Sequence, residues 1–151
     1  RNRATAVPIF QLAPGHAHFV RQALTGEEIT VYGDGEQKRC FGYVGDAVEA
    51  LVRLSKASSA AGEVVNIGND SEITINGLAR SIKEATQSES EIVYVPYHVA
   101  YGPGFEDMYR RVPCLEKLQA LIGFRPETNT ETIVQLVIED QKRLRAATIA
   151  A

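Results

Sequence analysis

Cysteine is scarce in this sequence: among 151 residues only Cys40 and Cys114 occur, far apart and in no CxxC spacing. That scarcity excludes a disulfide framework and a thiolate metal site, and leaves two thiols in a reducing compartment as the expectation. Basic residues are in no excess either, with 16 Lys and Arg against 19 Asp and Glu and a formal net charge of −3. Without a concentrated run of Lys and Arg there is little to neutralise a phosphate backbone, so nucleic acid is not an expected partner. No apolar stretch approaches the roughly 20 residues that cross a bilayer, and the N-terminus lacks the charged, apolar and small-residue order of a signal peptide. A soluble cytoplasmic protein with no membrane partner is therefore expected. Methionine is scarcer still: Met108 is the only one and the sequence opens Arg1-Asn2-Arg3, so a segment upstream of Arg1 is expected.

What is present has ordinary globular composition, 44% hydrophobic and 23% charged, enough for one domain with a sizeable core. Residues 1–18 read as an irregular lead, because Pro8 and Pro14 interrupt any helix. Phe19, Val20, Ala23 and Leu24 then have helical spacing, and Gly26 stands where a left-handed residue commonly ends a helix. Ile29-Thr30-Val31-Tyr32 is β-branched and aromatic and runs into the turn residues Gly33-Asp34-Gly35, with a second extended piece over 39–44. Asp46 is placed to cap a helix carrying Ala47, Val48, Ala50, Leu51, Val52 and Leu54 on one broad face. The cap satisfies Asp46 without any catalytic role.

Val64-Val65-Asn66-Ile67-Gly68 is a compact apolar run of the kind buried on both faces at the centre of a parallel sheet. Thr74 precedes Ile75, Leu78, Ala79 and Ile82 in the spacing of an amphipathic helix reaching about Thr86, and Ile92-Val93-Tyr94-Val95 reads as the next strand. Residues 96–113 are rich in Gly and Pro, without a period, and so long a loop calls for a functional explanation. Leu115, Leu118, Leu121 and Ile122 mark a helix ended by Gly123, and Thr130 is placed to cap a last helix with Ile133, Leu136, Val137 and Leu144, fraying over 146–151. The sum is an α/β fold of short strands alternating with four to five helices, without internal repeats.

The stretch Ile29-Thr30-Val31-Tyr32-Gly33-Asp34-Gly35-Glu36-Gln37-Lys38-Arg39-Cys40-Phe41-Gly42-Tyr43-Val44-Gly45-Asp46 resembles the VYGDGxQxRxFxYVxD signature of extended short-chain dehydrogenases/reductases acting on nucleotide sugars. The order of the flanking segments supports it: Phe19 to Gly26 before, Asn66-Ile67-Gly68-Asn69 after, then Tyr101-Gly102, Gly104-Phe105-Glu106-Asp107-Met108 and Arg110-Arg111-Val112-Pro113. The resemblance covers residues 19–145. It departs at the start, where Pro8 to His18 replace the usual Gly-Pro-Arg and helix-leading Pro, and at Cys114, where an Asp is usual. The run from Gly104 to Met108 is similar to that of UDP-glucose 4-epimerase-like and UDP-glucuronate decarboxylase-like members.

The resemblance implies the C-terminal part of a Rossmann-type enzyme, with a nucleotide-sugar (substrate) binding domain over 19–151 and the N-terminal NAD-binding Rossmann part absent. In that family a glycine-rich loop binds NAD and a Tyr-x-x-x-Lys pair carries catalysis. Here Tyr32, Tyr43, Tyr94, Tyr97, Tyr101 and Tyr109 are followed four residues on by Glu36, Ala47, His98, Tyr101, Phe105 and Pro113. Gly33-Asp34-Gly35 continues with Lys38 where a dinucleotide fingerprint needs its third glycine. The expectation is that this chain alone binds no NAD, holds no metal and has no catalytic residues. His16 and His18 could face one way on an extended segment, but no Cys or carboxylate accompanies them, so both read as surface histidines.

A diphosphate calls for permanently charged, bidentate donors, and arginine supplies them. By resemblance, Arg39 would reach the diphosphate of a UDP-sugar from the turn after the strand, Arg111 would approach it from the loop before Pro113, and Val31 and Tyr32 would flank uracil and ribose. Three functions stay open. The chain is the substrate grip of an epimerase, dehydratase or decarboxylase; or a noncatalytic module, self-associating through surface that a missing half would cover; or an α/β domain unrelated to nucleotide sugars. Which sugar and which reaction are involved is not legible in these residues.

Overall fold

The computed structural model describes residues 14–149. Four short strands and six α-helices follow one another among the described residues: α1 (Pro14–Thr25), β1 (Ile29–Tyr32), β2 (Lys38–Cys40), α2 (Val44–Lys56), β3 (Glu72–Thr74), α3 (Ile75–Thr86), β4 (Ile92–Val95), α4 (Tyr97–Ala100), α5 (Glu116–Ile122) and α6 (Thr130–Ile149). β1 and β4 pair in parallel, Ile29 opposite Ile92 through Tyr32 opposite Val95. β2 and β3 pair antiparallel, Lys38 opposite Thr74 and Cys40 opposite Glu72. This is the α/β class read from the sequence, with one more helix than expected: α4 lies in the Gly- and Pro-rich loop, too short to announce itself by periodicity.

The core lies where α1, α3 and α6 gather against β1. Ile29 and Val31 of β1 meet Phe19, Val20 and Ala23 of α1, Leu78, Ala79 and Ile82 of α3, and Ile133, Val134, Val137 and Ile138 of α6. Each fully buried Leu, Ile or Val contributes about 1.5–3 kcal/mol relative to leaving it in water, so the alternate inward residues of β1 and the stripe of α3 hold the fold together. α3 starts as its sequence indicates: the Thr74 hydroxyl accepts from the Gly77 N–H at 2.9 Å.

Several expectations are corrected. The lead over 1–18 is in part helical, because α1 begins at Pro14 rather than Phe19; a proline at the first helical position lacks only an N–H that would find no intrahelical partner. Residues 1–13 lie outside the described residues. The run from Val64 to Gly68 forms no strand, and Val64 is 87% exposed. A strand needs a neighbouring ladder, and none of the described segments pairs with it. Asp46 does not cap α2: Tyr43 holds that position, and Asp46 Oδ2 instead accepts from the Thr128 N–H at 3.2 Å, tying α2 to the approach to α6. Thr130 is the first residue of α6 rather than its cap; Asn129 Oδ1 accepts from the Thr132 N–H at 2.8 Å. α6 also continues helical to Ile149, where fraying over 146–151 was expected.

α2 carries the apolar face read from its sequence, but that face is uncovered. Only Ala50 is buried, while Val48, Leu51 and Val52 are exposed. No helix among the described residues is long and apolar enough to cross a membrane.

Candidate functional site

An open cleft of about 890 Å³ runs beside the β2–β3 pair, and its walls are built by segments distant in sequence. Tyr32 enters from the end of β1, Gln37 from the turn after it, Arg39 from β2, Asp46 from the first turn of α2, Tyr97 and Tyr101 from α4 and its end, and Phe105, Asp107 and Arg111 from the loop that follows. The turn itself depends on two glycines. Gly33 and Gly35 have φ of 76° and 74°, the left-handed region that L side chains avoid. A Cβ on Gly33 would lie 2.5 Å from the Tyr97 ring, and one on Gly35 would lie 2.1 Å from Asn76 Oδ1.

Asn76, buried at the start of α3, locks that turn. Its N–H donates to the Gly35 carbonyl at 2.9 Å, its Nδ2 donates to the Asp34 carbonyl and Glu36, and its Oδ1 accepts from the Tyr94 hydroxyl. The turn leads into β2 and not into a helix, and the space above Gly35 is filled by Asn76. The turn therefore lacks the form of a dinucleotide-binding loop, in which a glycine-lined turn opens onto a helix N-terminus.

Gln37 is the buried hub of the cleft wall. Its Nε2 donates to the Tyr32 carbonyl at 3.0 Å and to the Tyr97 hydroxyl at 2.9 Å. The Tyr97 hydroxyl in turn donates to Asp107 Oδ2 at 3.1 Å, and Asp107 Oδ1 accepts from Arg39 at 2.6 Å. One polar chain thus links the β1 strand end to the Arg39 guanidinium. Above it Tyr32, Tyr97, Tyr101 and Phe105 form an aromatic cluster, with Tyr101 and Phe105 stacked at 4.4 Å and Tyr32 edge-on to Tyr101 at 5.5 Å.

The loop carrying these residues is pinned to the β2–β3 pair. The Lys38 N–H donates to the Tyr109 carbonyl at 2.8 Å, and Arg110 makes a bidentate pair with Glu72 of β3 at 2.8 Å. The adjacent arginines thereby divide their work: Arg110 anchors the loop, and Arg111 lines the cleft with no carboxylate partner among the described residues. Asn66, in the run expected to be a strand, and Asn69, just after it, brace the other side, donating to the Cys114 and Thr128 carbonyls.

Of the residues expected to contact a ligand, Tyr32, Arg39 and Arg111 line one cleft. Val31 is corrected: its side chain is wholly buried in the core, because alternation along β1 turns it away from the face that carries Tyr32. Sequence reasoning missed Gln37, Tyr97 and Asp107. The available signals were the Gln inside the signature and the length of the 96–113 loop.

Two groups are held in their protonated forms. Burial, reinforced by the carboxylates of Glu72 and Asp70, pushes the Cys40 thiol up, away from thiolate reactivity. Burial and the Asp107 carboxylate push the Tyr97 hydroxyl up to about 12. Because the folded chain holds this proton more tightly than the unfolded one, Tyr97 supports stability fully below its ordinary value of 10.0 and loses that support as pH rises toward about 12. Unfolding midpoints of the wild type are expected to fall more steeply than those of Tyr97→Phe over that interval. Parallel midpoints for the two proteins would contradict the assignment.

In its fold the chain is similar to the nucleotide-sugar enzymes of the extended short-chain dehydrogenases/reductases. Residues 14–68 match the NAD dependent epimerase/dehydratase family. The chain is 42% identical over 113 residues to a UDP-N-acetyl-alpha-D-glucosaminuronate decarboxylase of Bacillus cytotoxicus, covering 75% of this chain and 35% of that protein. It is 40% identical over 110 residues to UDP-glucuronic acid decarboxylase 1 of Xenopus tropicalis, covering 73% of this chain and 24% of that one. Among solved structures, UDP-glucose 4-epimerase of Thermotoga maritima with UDP-glucose superposes with a TM-score of 0.74 at 30% identity, over 83% of this chain and 38% of that chain. The chain thus spans well under half the length of these relatives.

Proposed function

We propose that this chain is the UDP-sugar-binding portion of an NAD-dependent nucleotide-sugar epimerase, dehydratase or decarboxylase, and that it grips substrate without performing chemistry alone. The observation that carries this reading is the convergence of Arg39 and Arg111 on one cleft walled by aromatic rings. The two guanidinium groups take the diphosphate, and the Tyr32 side of the cleft takes the nucleoside. In a complete enzyme of this kind, NAD supplies transient oxidation of the sugar. The cleft's contribution is to hold the remote nucleotide, so that its binding energy positions the sugar. Calorimetric titration of the chain with UDP tests this: saturable binding is expected, and its absence overturns the reading.

A second reading, a self-associating module, is favoured by the uncovered face of α2, where Val48, Leu51 and Val52 are exposed. Light scattering is expected to show association that rises with concentration. A monomer throughout would remove this alternative.

A further inference from the structure

Arg39 meets Asp107 at 2.6 Å, with side chains only 14% and 31% exposed. The carboxylate is set there by three separate constraints. The Tyr97 hydroxyl donates to its other oxygen at 3.1 Å. The Lys38 N–H holds the Tyr109 carbonyl two residues on, and Arg110, the residue after it, is itself paired with Glu72. Arg111, on the same cleft, has no such counter-ion among the described residues.

We propose that Asp107 is a specificity-determining residue: an internal anion that occupies Arg39 when the cleft is empty and that a ligand phosphate must displace. The proposal rests on the reading of the cleft as a diphosphate site. Carboxylate and phosphate oxygens compete for the same guanidinium fork, so the two cannot fully engage Arg39 together. A diphosphate carries more charge than one carboxylate and can engage Arg111 as well, so it displaces Asp107. A neutral nucleoside brings no charge to Arg39 and leaves the pair closed. A displaced Asp107 keeps the Tyr97 hydroxyl as a donor, which limits the cost of losing arginine. The residue thus lowers affinity for every ligand that must open the pair and leaves only strongly anionic ligands able to do so.

The test is titration of the full chain with UDP, comparing wild type with Asp107→Asn, which keeps the shape and an acceptor for Tyr97 but removes the charge. UDP is expected to bind Asp107→Asn roughly fivefold to tenfold more tightly, with the gain abolished when Arg39→Ala is also present. Circular dichroism establishes that each variant is folded; where Asp107→Asn is not, Asp107→Ser carries the comparison. UDP binding that is unchanged or weaker in the folded variant makes Asp107 a positioning residue for Arg39 and overturns the proposal alone. A gain that persists in the Arg39→Ala background also overturns it. Failure of UDP to bind any variant removes the diphosphate reading and this inference with it.

Discussion

Arg39→Ala is expected to weaken UDP binding by about 2 kcal/mol, roughly thirtyfold, the scale of hydrogen bonds to a charged group lost from one side of a cleft. The substitution removes the guanidinium fork that β2 supplies to the cleft. Arg39→Lys is expected to recover only part of the loss, since an ammonium keeps the charge but not the bidentate geometry. Calorimetry with UDP reads both variants, and a thermal melt separates lost contact from lost fold. Equal affinity in wild type and a folded Arg39→Ala would remove Arg39 from the binding surface.

Gly35→Ala is expected to destabilise the chain by about 3 kcal/mol, far beyond the usual effect of adding one methyl group. The left-handed backbone at φ 74° accounts for about 1–2 kcal/mol of this. The added Cβ would stand 2.1 Å from Asn76 Oδ1, so Asn76 must move, and its bonds to the Asp34 carbonyl, Glu36 and the Tyr94 hydroxyl weaken with it, each worth about 0.5–1.5 kcal/mol. Gly26→Ala is the control: it shares a φ of 75° but has nothing within 4 Å of its Cβ. Urea unfolding is expected to rank Gly35→Ala well below Gly26→Ala, and equal midpoints would mean that the Asn76 contact contributes nothing.

How far the candidate site was legible depended on whether its residues stood in one local run. The stretch from Ile29 to Asp46 placed a strand and a left-handed turn correctly because strand propensity and turn glycines act between neighbours. The same locality misled at Val31, where residue type could not say which face of β1 would be buried. It misled also at Asp46, which lies inside the first turn of α2, and at Thr130, which is the first residue of α6 and not the cap before it.

The sequence by itself determined the α/β class, the helices α3 and α5, the β1 strand and the turn that follows it, since periodicity and turn chemistry are properties of adjacent residues. It also determined that no Tyr-x-x-x-Lys pair is present. Only the tertiary structure decided that Arg110 anchors while Arg111 lines the cleft, that Asp107 reaches Arg39 across 68 positions, and that Gln37 joins Tyr32 to Tyr97. The apolar run after Gly62 likewise needed the fold to be read, because a strand exists only beside a partner. The reason is common to all of these: each depends on which distant segments meet.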